Sequence, residues 1–480
     1  MKKKTIMIIM CIAILCMIVG YAAFSTALKI NGTANIASTW QVLFTKIEEV
    51  SKTSGVTIKS APTASGTTAT FNLDVQFPGD TIVYKITVEN QGTIDAIIND
   101  ITASKTGNDA IKFNITGIKK GDILVKGTST TFNVEITYDV NTNKQPTDLN
   151  EALTMEINYI QYAGQTIPSE DVVVEAPILL AKQIRKDNTA QADTNIDFSQ
   201  ISSDTNGKGL YYTSTNTEDN KRTYYFRGAI DNNYVSFAGF TWRIVRINED
   251  GSVRLIKQDS IGDSAFNTVE NDNAYVGYMY GTPSSTTYEA THANTNSSTI
   301  KTALDTWYQN NLVNYSSIIA DSGFCGDRSV SSGTGIGTTY TGYGALERLG
   351  HNKTPQFKCP QSNDLYTTVT STKGNKALTY PIGLITADEV AYAGGVLDNP
   401  NYNYYLSNSN NGTIWTMSPL DSGSRTRVWL VSPGGALGSF GSVYATGVYG
   451  VRPAINLKST AEIIDGGDGT SSNPYVIKTN

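Results

Sequence analysis

Two histidines in 480 residues leave little scope for imidazole metal sites or for histidine acid–base catalysis. Cysteine is nearly as scarce: of four, Cys11 and Cys16 lie in one apolar segment, leaving only Cys325 and Cys359 elsewhere. Arginine is missing before Arg185, whereas eleven occur from there onward. A formal charge of −6 and a pI near 5.2 argue against nucleic acid as a partner, since non-specific binding needs a basic face. Several catalytic signatures are also missing. There is no G-x-S-x-G elbow. The glycine-rich "SPGGALGSFGSV" (Ser432–Val443) has no lysine and is followed by β-type residues, which excludes a P-loop. "STIK" (Ser298–Lys301) matches S-x-x-K, but the one "KTG" (Lys105–Gly107) falls in a different region, so a helix start explains it better. His292 and His351 have neither metal nor triad spacing and read as exposed loop residues. The acidic turns "NEDG" and "DGGDG" lack the spacing of a recognised calcium loop; no cofactor is expected, with structural Ca²⁺ the one ion the turns leave room for. A carboxylate pair for glycoside chemistry is invisible in sequence.

What is present begins with an address. Lys2, Lys3 and Lys4 precede an uncharged apolar run from Thr5 to Phe24. Twenty helical residues rise about 30 Å, enough to cross a bilayer's hydrocarbon core, and the lysines should remain cytoplasmic. The segment is either a membrane anchor, making the cell membrane a partner, or a signal peptide cut after "STA" (Ser25–Ala27). Cleavage there would remove three lysines and move the formal charge from −6 to −9. A lipid on Cys16 is disfavoured by Leu15 before it. The expected location is the outer face of the membrane, or the medium, of a Gram-positive-type cell. In that oxidising setting Cys325 and Cys359 would form a disulfide closing a loop of about 34 residues, worth roughly 3–4 kcal/mol, with two free buried thiols as the alternative.

Length points to two or three domains. Residues 1–27 are the signal peptide or anchor. Residues 28–163 read as an all-β sandwich: Ile82, Tyr84, Ile86 and Val88 alternate with polar neighbours, as do Phe132, Val134, Ile136 and Tyr138, and then Met155, Ile157 and Tyr159. Residues 164–206 read as a linker holding one short helix in "PILLAKQIRKDN". Residues 207–458 mix strands and helices. "TWRIVRI-NEDG-SVRLI" is a hairpin with Gly251 at the turn. "SSTIKTALDTWYQNNL" is a helix, and "TADEVAYAGG" is a shorter one with a Thr386/Glu389 capping box and a Gly394 stop. Residues 459–480 form a β tail. Of 27 tyrosines, 21 lie between Tyr211 and Tyr449, among Ser, Gly and Asn, a composition suited to adaptable binding loops.

Two resemblances add to this. "FPGDTIVYKITVENQG" looks like Ig-like repeats of bacterial surface proteins, and "YAAFSTALKINGTANI" is similar to the leader and first strand of secreted Gram-positive β-sandwich proteins, some of them biofilm-matrix proteins. "FAGFTWRIVRINEDGSVRLI", "FCGDRS", "TYPIGLITADEVAYAGG", "WTMSP" and "YGVRPAINL" occur in this order in a family of uncharacterised Gram-positive surface proteins. The final "SP" and "GVRP" strands look like C-type-lectin-like folds, the group that includes the formylglycine-generating enzyme. Neither the sugar-and-calcium motifs of animal lectins nor that enzyme's reactive cysteine pair is present. The resemblance therefore implies a fold and no activity.

The expected architecture is mixed: a membrane helix or signal peptide, an Ig-like sandwich acting as a stalk, then an α+β C-type-lectin-like domain. The expected function is non-catalytic recognition of a surface glycan or protein, with an envelope or matrix structural component, or an envelope hydrolase or modifying enzyme, as alternatives. The ligand face is expected at Trp415, Tyr402, Tyr404, Tyr405, Arg425, Arg427 and Tyr449. Trp429, Val431 and Val443 are expected in the core, and Arg452 in a structural ion pair.

Overall fold

The computed structural model describes residues 38–106, 110–142, 145–146, 149–407, 412–438 and 447–479. The expected membrane segment and Val443 lie outside them. Among the described residues no helix is long and apolar enough to cross a membrane. Sheet predominates over helix, and the chain divides into two compact units.

The first unit runs to Val174. Four strands in the order Val42–Lys52, Thr81–Asn90, Ser129–Tyr138, Ile111–Thr116 form one sheet. A second sheet is built around Ala96–Lys105, paired with Leu153–Gln161, Ile123–Leu124 and Val174–Glu175. Both contribute to one apolar core, the arrangement of a β-sandwich. The alternation read from sequence sets the register: Ile82 lies opposite Ile136, Tyr84 opposite Val134, and Ile86 opposite Phe132, all six buried. Because strand side chains alternate with period two, a slip of one residue would turn all of them to solvent. The "PGD" turn is closed by Asp80, whose carboxylate accepts from the N–H of Phe77 (2.7 Å) and the hydroxyl of Thr53 (2.8 Å).

The second unit starts at Glu175 and is built on two sheets. One has nine strands, with Phe240–Ile247, Val253–Lys257 and Ala454–Leu457 at its centre. The other, of seven strands, has Ile414–Ser422 beside Arg427–Val431. The expected helices form. Thr299–Asn311 is capped by Ser298, and Ala387–Ala393 carries the full Thr386/Glu389 capping box and ends at Gly394 with φ +120°. Ser298 also donates to the Tyr278 carbonyl, while Lys301 turns away to Asp305, so "STIK" serves as a helix cap. Cys325 and Cys359 are disulfide-bonded, their Cα atoms 5.5 Å apart.

From residue 175 onward the segment assigned from sequence as linker, and the whole of the tail, are parts of this unit, while residues 164–174 belong to the first. Helix Leu180–Asp187 buries Leu180, Ala181 and Ile184 in its core. Strand Tyr475–Val476 pairs in parallel with Tyr234–Phe237, and Tyr475 donates to Asp187 (2.9 Å). The short helix and the β character of the tail were expected; what the sequence did not give is that both pack into this unit. Trp429 and Val431 are buried as expected. Arg452 is buried too, but it donates to the carbonyls of Lys257 (2.8 Å) and Leu406 (3.4 Å) rather than to a carboxylate. Neutral carbonyl ends of the surrounding strands are what the packing brings within its reach.

If Leu180–Asp187 is part of the fold, Ile184→Ala should cost the second unit about 2–5 kcal/mol, as for other fully buried aliphatic truncations. Denaturant melts monitored by tryptophan fluorescence would show it; a loss under about 0.5 kcal/mol would return the helix to the status of a linker.

Candidate functional site: a charged cleft beside the disulfide

The site starts from an apparent error in strand design. Hairpin Phe240–Ile247/Val253–Lys257 sets Arg246 opposite Arg254, two like charges on a buried sheet. An irregularity in register between Ile244 and Arg246 accompanies this pairing. Glu389 resolves the conflict. Its Oε1 accepts from Arg246 Nε (2.9 Å) and lies 3.2 Å from Arg254 Nε, though the latter is not aligned as a hydrogen bond. Its Oε2 accepts from the Thr386 N–H (2.9 Å), closing the capping box. One carboxylate thus caps a helix and neutralises a pair of strand arginines.

The neighbouring Asp388 holds a second clamp. Arg348, carried by the π-helix Leu346–Asn352, makes a bidentate pair with it (3.0 and 2.9 Å) and reaches Asp327 through Nη1 (2.6 Å). Burial opposes the charge on Arg348, but Asp388 and Asp327 outweigh it and hold its guanidinium above the ordinary value. For Arg254 burial wins over Glu389 and pulls the guanidinium down to about 10. Arg254 Nη2 donates to the Gly323 carbonyl, while Nη1 has no hydrogen-bond partner among the described residues.

These groups line a cleft whose enclosed part measures ≈ 30 Å³, room for one or two waters. Cys325 is in its wall, and the Asp219–Lys373 pair (3.2 Å) is among its lining. Seven lining carboxylates face five arginines and lysines, leaving an excess of two negative charges.

A comparison with protein-family models finds no match, and a comparison with curated proteins finds none either. The geometry therefore stands by itself.

The expected ligand face does not assemble. Trp415 is 1% exposed; it sits on a strand buried along its whole length, between Phe266 and Tyr449, with Nε1 donating to the Ser264 carbonyl. Tyr404 and Tyr405 are buried as well, Tyr404 donating to the Gly435 carbonyl (2.9 Å) and Tyr405 lying near the Arg243 guanidinium. These three are core residues because their rings fill space between sheets, which a run of polar neighbours in sequence conceals. Tyr402 is 72% exposed, and Arg425 is exposed. Arg427 is half-exposed and paired with Asp421, and Tyr449 packs on Trp415. Among the described residues no cluster of three His, Cys, Asp or Glu side chains is placed to hold a metal. In the candidate turns Asp250 accepts from Ser252 and Ser322, Glu249 from Thr223 and the Glu218 N–H, and Asp468 from Thr470.

His292 also departs from expectation. It is fully buried, not an exposed loop residue: Nε2 is 3.0 Å from the Gly335 carbonyl and the ring packs on Tyr288. Burial, helped by the nearby Arg328 cation, pushes its pKa down to about 3.

Arg246, Arg254, Arg348, Asp388 and Glu389 were missed as site residues. A signal existed in "TWRIVRI" and "SVRLI", where arginines interrupt strands otherwise apolar on both faces. Such residues need a buried partner.

Two outcomes follow. Glu389→Gln keeps a side chain able to complete the capping box but removes the carboxylate shared by two buried arginines, leaving Arg246 only Glu249 at 4.0 Å, so stability should fall by about 3–5 kcal/mol; an unchanged denaturation midpoint would refute the pairing. Because His292 is held neutral in the folded state, its stabilising contribution is present above the unfolded pKa of about 6.5 and is lost as pH falls toward about 3. The advantage of the wild type over His292→Gln should therefore shrink between about pH 6.5 and pH 5, with a slope approaching ~1.4 kcal/mol per pH unit. A pH-independent difference would show that the ring takes up protons alike in the folded and unfolded chain, and so is not held neutral by burial.

Proposed function

We propose that the chain is an exported, non-catalytic recognition protein, held at the outer face of the membrane or released by cleavage of its apolar N-terminus. In this reading the first unit is an Ig-like spacer and the second a C-type-lectin-like head that takes a polar surface ligand at the charged cleft. The observation that carries it is the cleft itself. Its enclosed part takes a single hydroxyl or amine rather than a whole substrate, far below the several hundred Å³ of an enclosing ligand pocket. Its key carboxylates already accept two or more donors each, which makes them fixed hydrogen-bonding positions rather than free bases. The unpartnered Arg254 Nη1 offers a donor to a hydroxyl oxygen, and the excess negative charge favours neutral or amine-bearing sugars over acidic ones.

Glycan arrays probed with the chain from Leu28 onward test this. A saturable hit on a neutral or amino sugar should weaken roughly tenfold or more in an Asp219→Lys, Lys373→Glu double variant, the loss of about 1.4 kcal/mol of contact energy. A hit that survives these changes but is lost in Tyr402→Ala would move the ligand to the exposed tyrosine, and the absence of any hit would sink the recognition reading.

A further inference from the structure

The core of the first unit is closed on one side and open on the other. Inward residues of the central strand Thr81–Asn90 are fully buried. The matching residues of the two strands at one border, Val42 and Phe44 on Val42–Lys52 and Met155, Ile157 and Tyr159 on Leu153–Gln161, are only half-buried. Between them runs a groove of ≈ 500 Å³ lined by these apolar side chains together with Thr67, Glu156 and Asn158, with Trp40, 47% exposed, also lining it. The Tyr159 hydroxyl is buried there without a hydrogen-bond partner among the described residues. Among the described residues each flanking strand pairs along one side only, Val42–Lys52 with Thr81–Asn90 and Leu153–Gln161 with Ala96–Lys105. The free side of the first is touched by a hairpin tip, where Phe44 N–H donates to Gly66. A groove bounded by two sheet edges is the shape that one added strand fills, with backbone bonds supplying affinity and alternate apolar side chains entering the core.

We propose that the occupant is residues 28–36 of a second copy of this chain. Leu28, Ile30, Gly32, Ala34 and Ile36 alternate with Lys29, Asn31, Thr33 and Asn35, one apolar and one polar face at strand period. The nine residues match the nine of Leu153–Gln161 in length. The donor comes from another molecule because of where its attachment points. Thr39 and Gln41 are tied to Thr93 and Gln91 by backbone hydrogen bonds of 3.0 and 2.8 Å, which carries the chain past the end of Thr81–Asn90. Entering its own groove would require a reversal at Ala37 and Ser38, which include no glycine, proline, asparagine or aspartate. This assembly does not depend on the recognition reading of the second unit.

The test is complementation. The chain from Leu28 onward should form concentration-dependent oligomers in light scattering across the micromolar range. Ile30→Asp, which spoils the donor, and Ile157→Lys, which spoils the groove, should each be monomeric alone. Mixed, they should form a one-to-one dimer, since one supplies an intact strand and the other an intact groove. Should Ile157→Lys fail to fold by circular dichroism, a synthetic peptide of residues 28–36 decides: it should bind the folded Ile30→Asp chain saturably, and the peptide carrying Ile30→Asp roughly tenfold more weakly or worse. A monomeric wild type, oligomers unaffected by Ile30→Asp, or a peptide that does not bind would each overturn the proposal.

Discussion

Much of the second unit depends on the charge of one side chain. Hairpin register forces Arg246 and Arg254 together on a buried sheet, and only the Glu389 carboxylate lies close enough to both to offset them. A buried ion pair of this kind adds little net stability over an apolar substitute, because desolvation consumes most of the attraction. What it adds is placement. The same carboxylate closes the N-terminus of Ala387–Ala393, so helix, hairpin and cleft are positioned by one group. Asp388, the residue before it, fixes Arg348 and through it Asp327, close to the disulfide-bonded Cys325.

The result is a rim of fixed donors and acceptors rather than a flexible charged surface. Carboxylates that already hold arginine, serine or backbone donors have fewer lone pairs to lend to proton transfer, and more fixed geometry to lend to discrimination. The disulfide between Cys325 and Cys359 joins two segments of this wall, and the Cys359 N–H donates to Glu218, another lining carboxylate (2.8 Å). In the first unit the governing constraint is different. There the apolar face of a sandwich is one strand short of closure at its border, and the cost of leaving Met155, Ile157 and Phe44 half-exposed is what gives an incoming strand its driving force.

Elements with a strong period were legible before any coordinates. The alternation around Ile82–Val88 and Phe132–Ile136 set both strands and their inward faces. The spacing Ile300, Leu304 with Ser298 ahead of it, and the Thr386/Glu389 box, located two helices together with their caps. The helix Leu180–Asp187 and the β tail were also expected, but elements this short hold too few apolar residues to show which core they pack against. The tyrosines misled for a related reason. In a run such as "NYNYYL" composition reads as a loop, while Tyr404 and Tyr405 bury their rings and, for Tyr404, satisfy the hydroxyl on a backbone carbonyl.

By itself the sequence determined the sequence-local facts: an apolar segment behind three lysines, two cysteines outside it, the β character of the first region and the caps of the main helices. Each of these follows from neighbours a few residues apart, where periodicity and capping act. Only the tertiary structure decided that Cys325 meets Cys359, that Trp415 is core, and that Glu389 stands between two arginines more than 130 residues before it. Those outcomes depend on strand register and on which sheet faces are covered, and desolvation makes burial, rather than residue type, decide whether a tyrosine or an arginine serves as packing or as a site.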